Sequence, residues 1–575
     1  MNQIEINGKM YRFAGQEANL LSFLRDHGIV SHAACDGAGR CGKCKVQYIS
    51  SAPEASEQCI EHLSQTELDS GFRLACYCSL SASKMTITDQ SALYIESRFE
   101  FPEIEHERQI SFLTVNLNHI GEEAESVQLF IQKTYDLYLS HTVLKKMGQL
   151  LSRQGSSSEN IPDPQLILLD NEVVSVADKN QPPVILNLDI GTTTIALCAI
   201  EAGTKQILSN EKCLNSQVSF GADVINRISS SNAGHFLKIC DAVRKSCLAL
   251  FTLISKQIDV TRVVELNITG NTTMLHFLLR LNPALIGVSP FIGLKQGSSS
   301  HSFQDVFYSR KIDCDVNVLP GHSAYIGADI IAGVSYLNMH RTRQINLMVD
   351  LGTNGELVIG NQDRMLSAST ACGPAFEGGH LDCGMPSLAG AVSRVTQNIQ
   401  GEFELETVAG LEPKGLCGSA AIDILALLLE RGDVDSTGMM DSIYNQKVML
   451  NDEVYFSQKD VRELQLAKSA VRTAIDILIS EYGCQYQDIH HVYLSGGFGS
   501  NVSIENLIKV GIFPEQLRDK IFVKGNTSLA GAVKYGLMSN RKQDMSQILQ
   551  SMQLVNLAKA NEFNRLYTDN ILFNG

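Results

Sequence analysis

The sequence predicts a multidomain α/β protein, and three observations support that prediction. The chain has 575 residues, more than one hydrophobic core can organise, so several structural units are expected. Six of its 15 cysteines lie within the first 78 residues. In the C-terminal two-thirds, a strand-like run ending in Asp-x-Gly-Thr occurs twice, at Asp189 and Asp350. This order indicates a small cysteine-bearing unit ahead of a larger, internally duplicated one.

The charge balance and the hydropathy of the chain exclude several classes of protein. The 47 basic and 62 acidic residues give a net charge of −15, which repels nucleic-acid backbones and anionic lipid surfaces. The longest apolar run, 420–429, is too short to cross a bilayer and contains Asp423. The first residues lack the basic-then-apolar layout of a signal peptide. We therefore expect a cytoplasmic protein with reduced thiols that binds neither nucleic acid nor membrane.

The N-terminal cysteines have the spacing of metal ligands. Cys35, Cys41 and Cys44 form a C-x5-C-x2-C pattern in a glycine-rich loop, and Cys76 follows in Arg-Leu-Ala-Cys. Four thiolates suit either zinc or an iron–sulfur cluster. The glycines allow backbone N–H groups to point at negatively charged bridging sulfides, whereas structural zinc sites more often pair two Cys-x2-Cys knuckles. The pattern favours a cluster, with zinc as the alternative.

This pattern resembles that of plant-type and adrenodoxin-type ferredoxins over roughly residues 1–95. The resemblance implies a β-grasp fold of two hairpins and a helix that carries one 2Fe–2S cluster. It assigns the cluster ligands to Cys35, Cys41, Cys44 and Cys76. Cys78 is close enough in sequence to compete with Cys76, and Cys59, in the intervening polar loop, is interpreted as a bystander thiol.

A charged segment separates this unit from the rest of the chain. Residues 96–109 contain Pro102 and show no period of 2 or 3.6, so they are interpreted as a flexible linker. Residues 110–180 are predicted to form a small α+β middle domain without chemistry of its own. Its predicted strands are 110–116, 126–131 and 165–169, and its predicted helix is 140–151.

Two turns in the C-terminal two-thirds carry residues that bind phosphate. Each follows a buried-strand pattern and offers an aspartate, a glycine and hydroxyl or amide side chains. Glycine permits close backbone approach, hydroxyl and N–H groups donate to phosphate oxygens, and aspartate suits a hard cation such as Mg²⁺. The candidate residues are Asp189, Gly191, Thr192 and Thr193 in the first turn and Asp350, Gly352, Thr353 and Asn354 in the second.

The order of these turns resembles that in actin, the sugar kinases and Hsp70, in which two related ribonuclease-H-like lobes hold ATP between them. A third turn of that pattern receives the adenosine, and Gly496 and Gly497 match it. The resemblance implies a duplicated ATPase domain over 181–575, with Asp189 and Asp350 as catalytic residues near Mg²⁺. A Walker loop is absent from the sequence, as is a Rossmann glycine motif set between a strand and a helix.

A ferredoxin-type unit ahead of such an ATPase is similar to the reductive activators of corrinoid-dependent enzymes. The matching stretches, spread over nearly the whole chain, are 215–227, 270–274, 350–356, 373–378 and 494–499. The resemblance implies that one electron passes from the 2Fe–2S cluster, with ATP hydrolysis, to an inactive Co(II) corrinoid on a partner protein of a methyltransferase system, and restores Co(I). It also implies a low-potential electron donor and allows a homodimer.

Three other functions stay open at this point. A small-molecule kinase of the same superfamily would need a general-base aspartate in the cleft, for which Asp223 and Asp329 are candidates. A chaperone-like ATPase would bind peptides and would not depend on a cluster. A ferredoxin-linked activase of a radical or dehydratase enzyme would act on a partner without cobalt.

Overall fold

The structure is a computed structural model with six β-sheets among its described residues. The described residues are 2–13, 19–27, 29, 37, 39, 42, 44–63, 65–87, 99–117, 120, 126–153, 163–177, 181–497 and 502–573. Within these ranges, no helix combines the length and the hydrophobicity needed to cross a lipid bilayer.

The N-terminal part is a mixed sheet packed against a helix. Its described strands, in the spatial order β2-β1-β5-β3-β4, are β1 (Asn2–Ile6), β2 (Lys9–Phe13), β3 (Lys45–Ser50), β4 (Phe72–Leu74) and β5 (Lys84–Thr86). Its helices are α1 (Leu20–Asp26), α2 (Glu57–His62) and α3 (Gln65–Asp69). Asn7 and Gly8 form the hairpin turn with φ of 50° and 78°, which these two residue types adopt readily. Asn19 caps α1 by accepting the N–H of Leu21.

A three-stranded antiparallel sheet with two helices follows. Its elements are β6 (Ile110–Thr114), α4 (Val127–Tyr135), α5 (His141–Arg153), β7 (Gln165–Leu169) and β8 (Glu172–Ala177). The strand predicted at 126–131 is wrong, because this segment begins α4. The Ser126 hydroxyl caps the helix by accepting the Leu129 N–H at 3.2 Å. A short apolar run is compatible with either a strand or a helix, and here the capping serine favours the helix.

The first lobe of the C-terminal domain is a six-stranded sheet in the order β11-β10-β9-β12-β14-β13. Its strands are β9 (Val184–Ile190), β10 (Thr194–Glu201), β11 (Ile207–Leu214), β12 (Val263–Gly270), β13 (Ser299–Ser302) and β14 (Asp315–Val318). Its helices are α6 (Val224–Ser230), α7 (Phe236–Ile254), α8 (Thr272–Leu278), α9 (Phe303–Phe307) and α10 (Ala328–Tyr336). Strands β9 to β11 form an antiparallel meander, and β12 and β14 extend it in parallel.

The second lobe repeats this topology in the order β24-β23-β15-β16-β17-β25. Its strands are β15 (Ile345–Leu351), β16 (Gly355–Gly360), β17 (Met365–Thr370), β23 (Ile489–Ser495), β24 (Ile521–Gly525) and β25 (Met552–Leu554). Smaller sheets contain β18 (Ala391–Gln397), β19 (Phe403–Thr407), β20 (Gly415–Leu416), β21 (Lys447–Met449) and β22 (Tyr455–Ser457). The helices are α11 (Gly418–Arg431), α12 (Gln458–Tyr482), α13 (Ile504–Val510), α14 (Thr527–Leu537), α15 (Arg541–Ser551) and α16 (Phe563–Asp569). In both lobes a meander is followed by two parallel strands, which confirms the predicted duplication.

Helices α10 and α14 cross between the two lobes. α14 follows a strand of the second lobe, yet Leu529 and Val533 pack on the first-lobe sheet. α10 follows the first lobe and shares a core with Met348 of the second lobe. At the crossing, a Cβ at Gly531 would lie 2.1 Å from the carbonyl oxygen of Ala332. The lobes are therefore joined by two helices in backbone contact, where only glycine fits.

The described part of the predicted linker, 99–109, lies along the C-terminal domain. Phe99 forms a β-bridge with the end of β24. Arg108 is 7% exposed and donates to Glu265 and Glu172 at 3.0 and 3.1 Å. A buried guanidinium requires paired carboxylates, so the charge pattern that indicated a flexible linker supplies anchoring ion pairs instead.

Candidate functional site

Two of the four predicted cluster ligands lie side by side. The sulfurs of Cys44, which precedes β3, and Cys76, in a short 3-10 helix, are 3.3 Å apart. Cys35 and Cys41 lie outside the described residues, and the described residues contain no group of three or more metal-binding side chains. A Cβ at Gly39 would lie 2.0 Å from the Tyr77 hydroxyl, so the loop beside these thiols needs glycine. Two adjacent thiols next to such a loop fit one edge of a 2Fe–2S cluster.

The remaining N-terminal cysteines have other partners. Cys78 is buried beside Tyr48, and burial raises the pKa of its thiol to about 11, an effect that Tyr48 opposes. Cys59 is also buried, but it lies in α2 rather than in a loop, and its sulfur accepts the Leu74 N–H at 3.4 Å. The helix was missed because its surroundings in sequence are polar. These contacts support Cys76 over Cys78 as the fourth ligand.

The first phosphate-type turn links β9 to β10. The Gly191 N–H donates to the Thr194 carbonyl at 2.9 Å, and a Cβ at Gly191 would lie 2.8 Å from that oxygen. Asp189 accepts a hydrogen bond on each carboxylate oxygen, from Asn526 and from Ser528, both at 2.8 Å. Both donors belong to the junction between β24 and α14. The aspartate of the first lobe is thus held by residues that come from the second. Two predicted phosphate ligands, Thr192 and Thr193, complete this turn.

The second turn links β15 to β16 in the same way. The Gly352 N–H donates to the Asn354 carbonyl at 3.0 Å, and the buried Thr353 lies between them. Asp350 accepts the Ser495 hydroxyl at 2.7 Å. Because Ser495 is its register partner on the neighbouring parallel strand, this aspartate is held within its own sheet.

The predicted adenosine turn lies beside the second phosphate turn. Gly496 has φ of 94°, and a Cβ there would lie 2.5 Å from the Leu351 carbonyl and 3.0 Å from Asp350. Among the described residues, none lies within 4 Å of a hypothetical Cβ at Gly497, so the described part of the cleft leaves room for a ligand beside its backbone. Parallel register therefore brings the two candidate glycines to the cleft, at the end of β23.

Carboxylates crowd this cleft and raise one another's pKa. Burial, together with the charges of Asp350 and Asp189, raises the pKa of Asp329 to about 8. Burial likewise raises the pKa of Asp350 to about 6, opposed by the Ser495 hydrogen bond and reinforced by the Asp189 charge. The pKa of the buried Glu356 lies well above its ordinary value for the same reasons. A divalent cation among these oxygens would relieve the repulsion.

Sequence reasoning missed two charged residues of the cleft. Lys212 on β11 pairs with Ala196, which pairs with Asp189, so the lysine and the aspartate share one face of the sheet. Burial lowers the pKa of Lys212, and the charges of Glu377 and Asp189 oppose that change. Glu377 itself accepts the Thr193 hydroxyl at 2.7 Å and the Thr353 hydroxyl at 2.8 Å. The register of the β10–β11 hairpin could have found Lys212. Glu377 lies within the matching stretch 373–378, but that match did not assign the residue a role.

The structure separates the two candidate general bases. Asp223 caps α6, where its carboxylate accepts the N–H and the side-chain amide of Asn226 at 2.7 and 2.6 Å. Asp329 stands in the first turn of α10, and a Cβ at the neighbouring Gly327 would lie 2.8 Å from the Thr272 N–H. Asp223 thus has a structural role, and Asp329 is the base candidate within the cleft.

Comparisons with protein families cover most of the chain. Residues 4–81 match the 2Fe-2S iron-sulfur cluster binding domain, 185–342 match the RACo middle region, and 344–575 match the C-terminal domain of RACo, the ASKHA domain. The family's middle region is therefore the first lobe, not the three-stranded domain at 110–177. The N-terminal and C-terminal matches support a 2Fe–2S cluster and ATP binding, respectively.

Two curated relatives and one solved structure match over long stretches. The corrinoid activation enzyme RamQ of Eubacterium limosum is 27% identical over 97% of this chain and 96% of its own. The [Co(II) methylated amine-specific corrinoid protein] reductase of Methanosarcina barkeri is 26% identical over 66% of this chain and 75% of its own. The solved reductive activator for corrinoid, iron-sulfur protein has a TM-score of 0.70 at 24% identity, covering 100% of this chain and 98% of that one. The chain therefore belongs to the RACo family, with an N-terminal 2Fe–2S domain ahead of an ASKHA domain.

Proposed function

We propose that this protein is an ATP-dependent reductive activator of a corrinoid protein in a methyltransferase system. One electron from a 2Fe–2S cluster converts Co(II) of the corrinoid to Co(I), and no bond to carbon is made or broken in that step. The observation that carries the proposal is that one chain holds adjacent cysteines and a two-lobed nucleotide cleft and matches a corrinoid activation enzyme almost from end to end.

Each turn of the cleft has a proposed part in ATP binding. The hydroxyl and amide groups donate to phosphate oxygens, Asp189 and Asp350 hold Mg²⁺ directly or through water, and Gly496 and Gly497 receive the adenosine. Asp329 orients the attacking water and accepts its proton, for which a pKa of about 8 is suitable. The proposed phosphate donors are Gly191, Thr192, Thr193, Gly352, Thr353 and Asn354.

The proposed electron transfer is uphill without help from ATP. When bound, a plant-type 2Fe–2S cluster supplies a one-electron carrier near roughly −400 mV, and the Co(II)/Co(I) couple is expected to be more negative. A gap of roughly 200 mV would cost about 4.6 kcal/mol for one electron. A low-potential donor must therefore refill the cluster, and the corrinoid must be altered before it accepts the electron.

Nucleotide binding supplies that alteration through the partner. If the ATP-bound form binds the Co(II) protein tightly and weakens an axial cobalt ligand, the reduction potential of the Co(II)/Co(I) couple rises. The coupling requires that the two nucleotide states bind the partner with different free energies. Hydrolysis then separates the complex and gives the cycle its direction.

Co(I) formation by the full-length protein tests this function. Reduced protein, a Co(II) corrinoid protein and Mg·ATP should give the Co(I) absorption spectrum, and Asp189→Ala should lower that rate at least 100-fold, as losing a preorganised site contact does. The visible spectrum of the cluster should be the same in both proteins. Co(I) formation independent of ATP, or loss of the cluster in the variant, would contradict the assignment. Release of inorganic phosphate without a phosphorylated small molecule separates this activity from that of a kinase.

A further inference from the structure

Glu377 joins the two phosphate turns through a single oxygen. Its Oε2 accepts the hydroxyl of Thr193 from the first lobe at 2.7 Å and the hydroxyl of Thr353 from the second at 2.8 Å. The other oxygen, Oε1, lies 3.5 Å from where a Cβ at Gly352 would be. The carboxylate therefore lies over the second phosphate turn and is hydrogen-bonded to a threonine of each turn.

These hydroxyls are among the donors that the cleft offers to a nucleotide. A carboxylate oxygen resembles a phosphate oxygen, since both are anionic acceptors that form short, charge-assisted hydrogen bonds. We propose that Glu377 is a built-in phosphate surrogate, which joins the two turns through the hydroxyls of Thr193 and Thr353 and must leave both before ATP can bind them. This inference rests on the proposed ATP site and adds a residue that sets its affinity.

The side chain, rather than the backbone, is free to make this change. Glu377 ends the short 3-10 helix Pro374–Glu377, whose Phe376 is 1% exposed. A Cβ at Gly418 would lie 1.9 Å from the Phe376 carbonyl oxygen, so the turn is packed directly on the start of α11. Glu377 itself is only partly buried, and rotation about its own torsions moves the carboxylate without unpacking Phe376.

The charges around Glu377 are compatible with the replacement of its carboxylate by a phosphate group, since both are anions. Lys212 lies near both Glu377 and Asp189, whose negative charges stabilise its ammonium group. When phosphate replaces the Glu377 carboxylate, Lys212 keeps an anionic neighbour. The carboxylate then competes with the product for the same donors, which favours nucleotide release after hydrolysis.

Nucleotide affinity of two Glu377 variants tests the proposal on the full-length chain. The dissociation constant of a non-hydrolysable Mg·ATP analogue is measured by calorimetry for the wild type, Glu377→Gln and Glu377→Asp. Glutamine removes the charge at constant size, whereas aspartate keeps the charge but is one methylene too short to reach both hydroxyls. Both variants should bind the analogue about tenfold more tightly, because each loses competing charge-assisted hydrogen bonds. An unchanged cluster spectrum and thermal unfolding curve report that both variants are folded.

The outcomes distinguish the inference from the function on which it rests. Weaker or unchanged binding in both variants would overturn the surrogate role. Tighter binding in Glu377→Gln alone would also overturn it, because simple charge repulsion would then explain the effect. If the wild type failed to bind the analogue, the proposed ATP site itself would be wrong.

Discussion

The two phosphate turns share one motif but differ in what holds their aspartates. In the first turn, Asp189 accepts hydrogen bonds from Asn526 and Ser528, which belong to the crossing junction between β24 and α14. In the second, Asp350 accepts one from Ser495 within its own sheet and lies near Asp329, whose charge depends on pH. The two duplicated turns therefore differ in what changes the environment of their aspartates. The first responds to the relative placement of the lobes, and the second to protons and cations.

The largest expected effect comes from separating the crossing helices. Gly531→Ala places a methyl group 2.1 Å from the Ala332 carbonyl, and overpacking of this kind typically costs about 1–3 kcal/mol. The free energy of unfolding, measured with urea, should fall by that amount. Because α14 carries the donors to Asp189, Mg·ATP affinity should fall as well.

A matched glycine provides the control for that variant. Gly148 lies in α5, and no described residue outside its own helix turn comes within 4 Å of a hypothetical Cβ there. Gly148→Ala should stabilise the protein by about 0.4–1 kcal/mol, because alanine has less backbone freedom to lose on folding. Equal destabilisation by the two substitutions would mean that the crossing is not tightly packed.

Removing one donor from each aspartate sharpens the comparison. Ser528→Ala and Ser495→Ala each delete a hydrogen bond to a carboxylate, worth about 1.5–3 kcal/mol, so each should weaken Mg·ATP binding about tenfold or more. Only Ser528→Ala should also change the radius of gyration of the Mg·ATP-bound protein, measured by small-angle X-ray scattering, since Ser528 alone of the two comes from the crossing junction. An equal change in both variants would remove the distinction between the turns.

The second turn should also show a pH dependence. The pKa of Asp329 is about 8 in the folded protein and ordinarily 3.8, so its contribution to folding is fully present below about pH 4 and is lost as the pH rises through 8. The contribution of Asp350, whose folded pKa is about 6, is lost by about pH 6. Asp329→Asn should therefore flatten the fall in unfolding free energy between pH 6 and 8, and Asp350→Asn should not.

Mg·ATP binding should show the opposite slope. If the cation requires Asp329 to be ionised, affinity should rise about fivefold from pH 7 to pH 8, as proton linkage for a pKa of about 8 requires. Isothermal titration at the two values measures this ratio. An affinity that falls over this interval would mean that Mg·ATP binding does not require an ionised Asp329.

Local patterns in the sequence predicted the elements of this site but not the hydrogen bonds between residues far apart in the chain. The strand before Asp189 and the duplicated turn at Asp350 follow from residue types and spacing over a few positions. The bonds from Ser528 to Asp189 and from Glu377 to Thr193 join residues 339 and 184 positions apart. Such contacts leave no periodic trace, so only the folded chain shows them.

For a related physical reason, the sequence did not predict that residues 99–109 lie along the C-terminal domain. Charged residues without periodicity indicate solvent exposure, unless partners of opposite charge lie elsewhere in the chain. Arg108 finds those partners in Glu265 and Glu172, and its neighbours bind along the C-terminal domain. Charge pattern alone cannot distinguish a tether from a segment bound by ion pairs.

A single turnover tests most directly whether ATP gates an electron from the cluster to cobalt. Full-length protein, reduced once and freed of excess reductant, is mixed in a stopped-flow instrument with a Co(II) corrinoid protein, with and without Mg·ATP. The account predicts that, with Mg·ATP, oxidation of one cluster and appearance of one Co(I) occur at the same rate, and that neither occurs on this timescale without it. Co(I) appearing at an equal rate without Mg·ATP, or appearing while the cluster stays reduced, would contradict it.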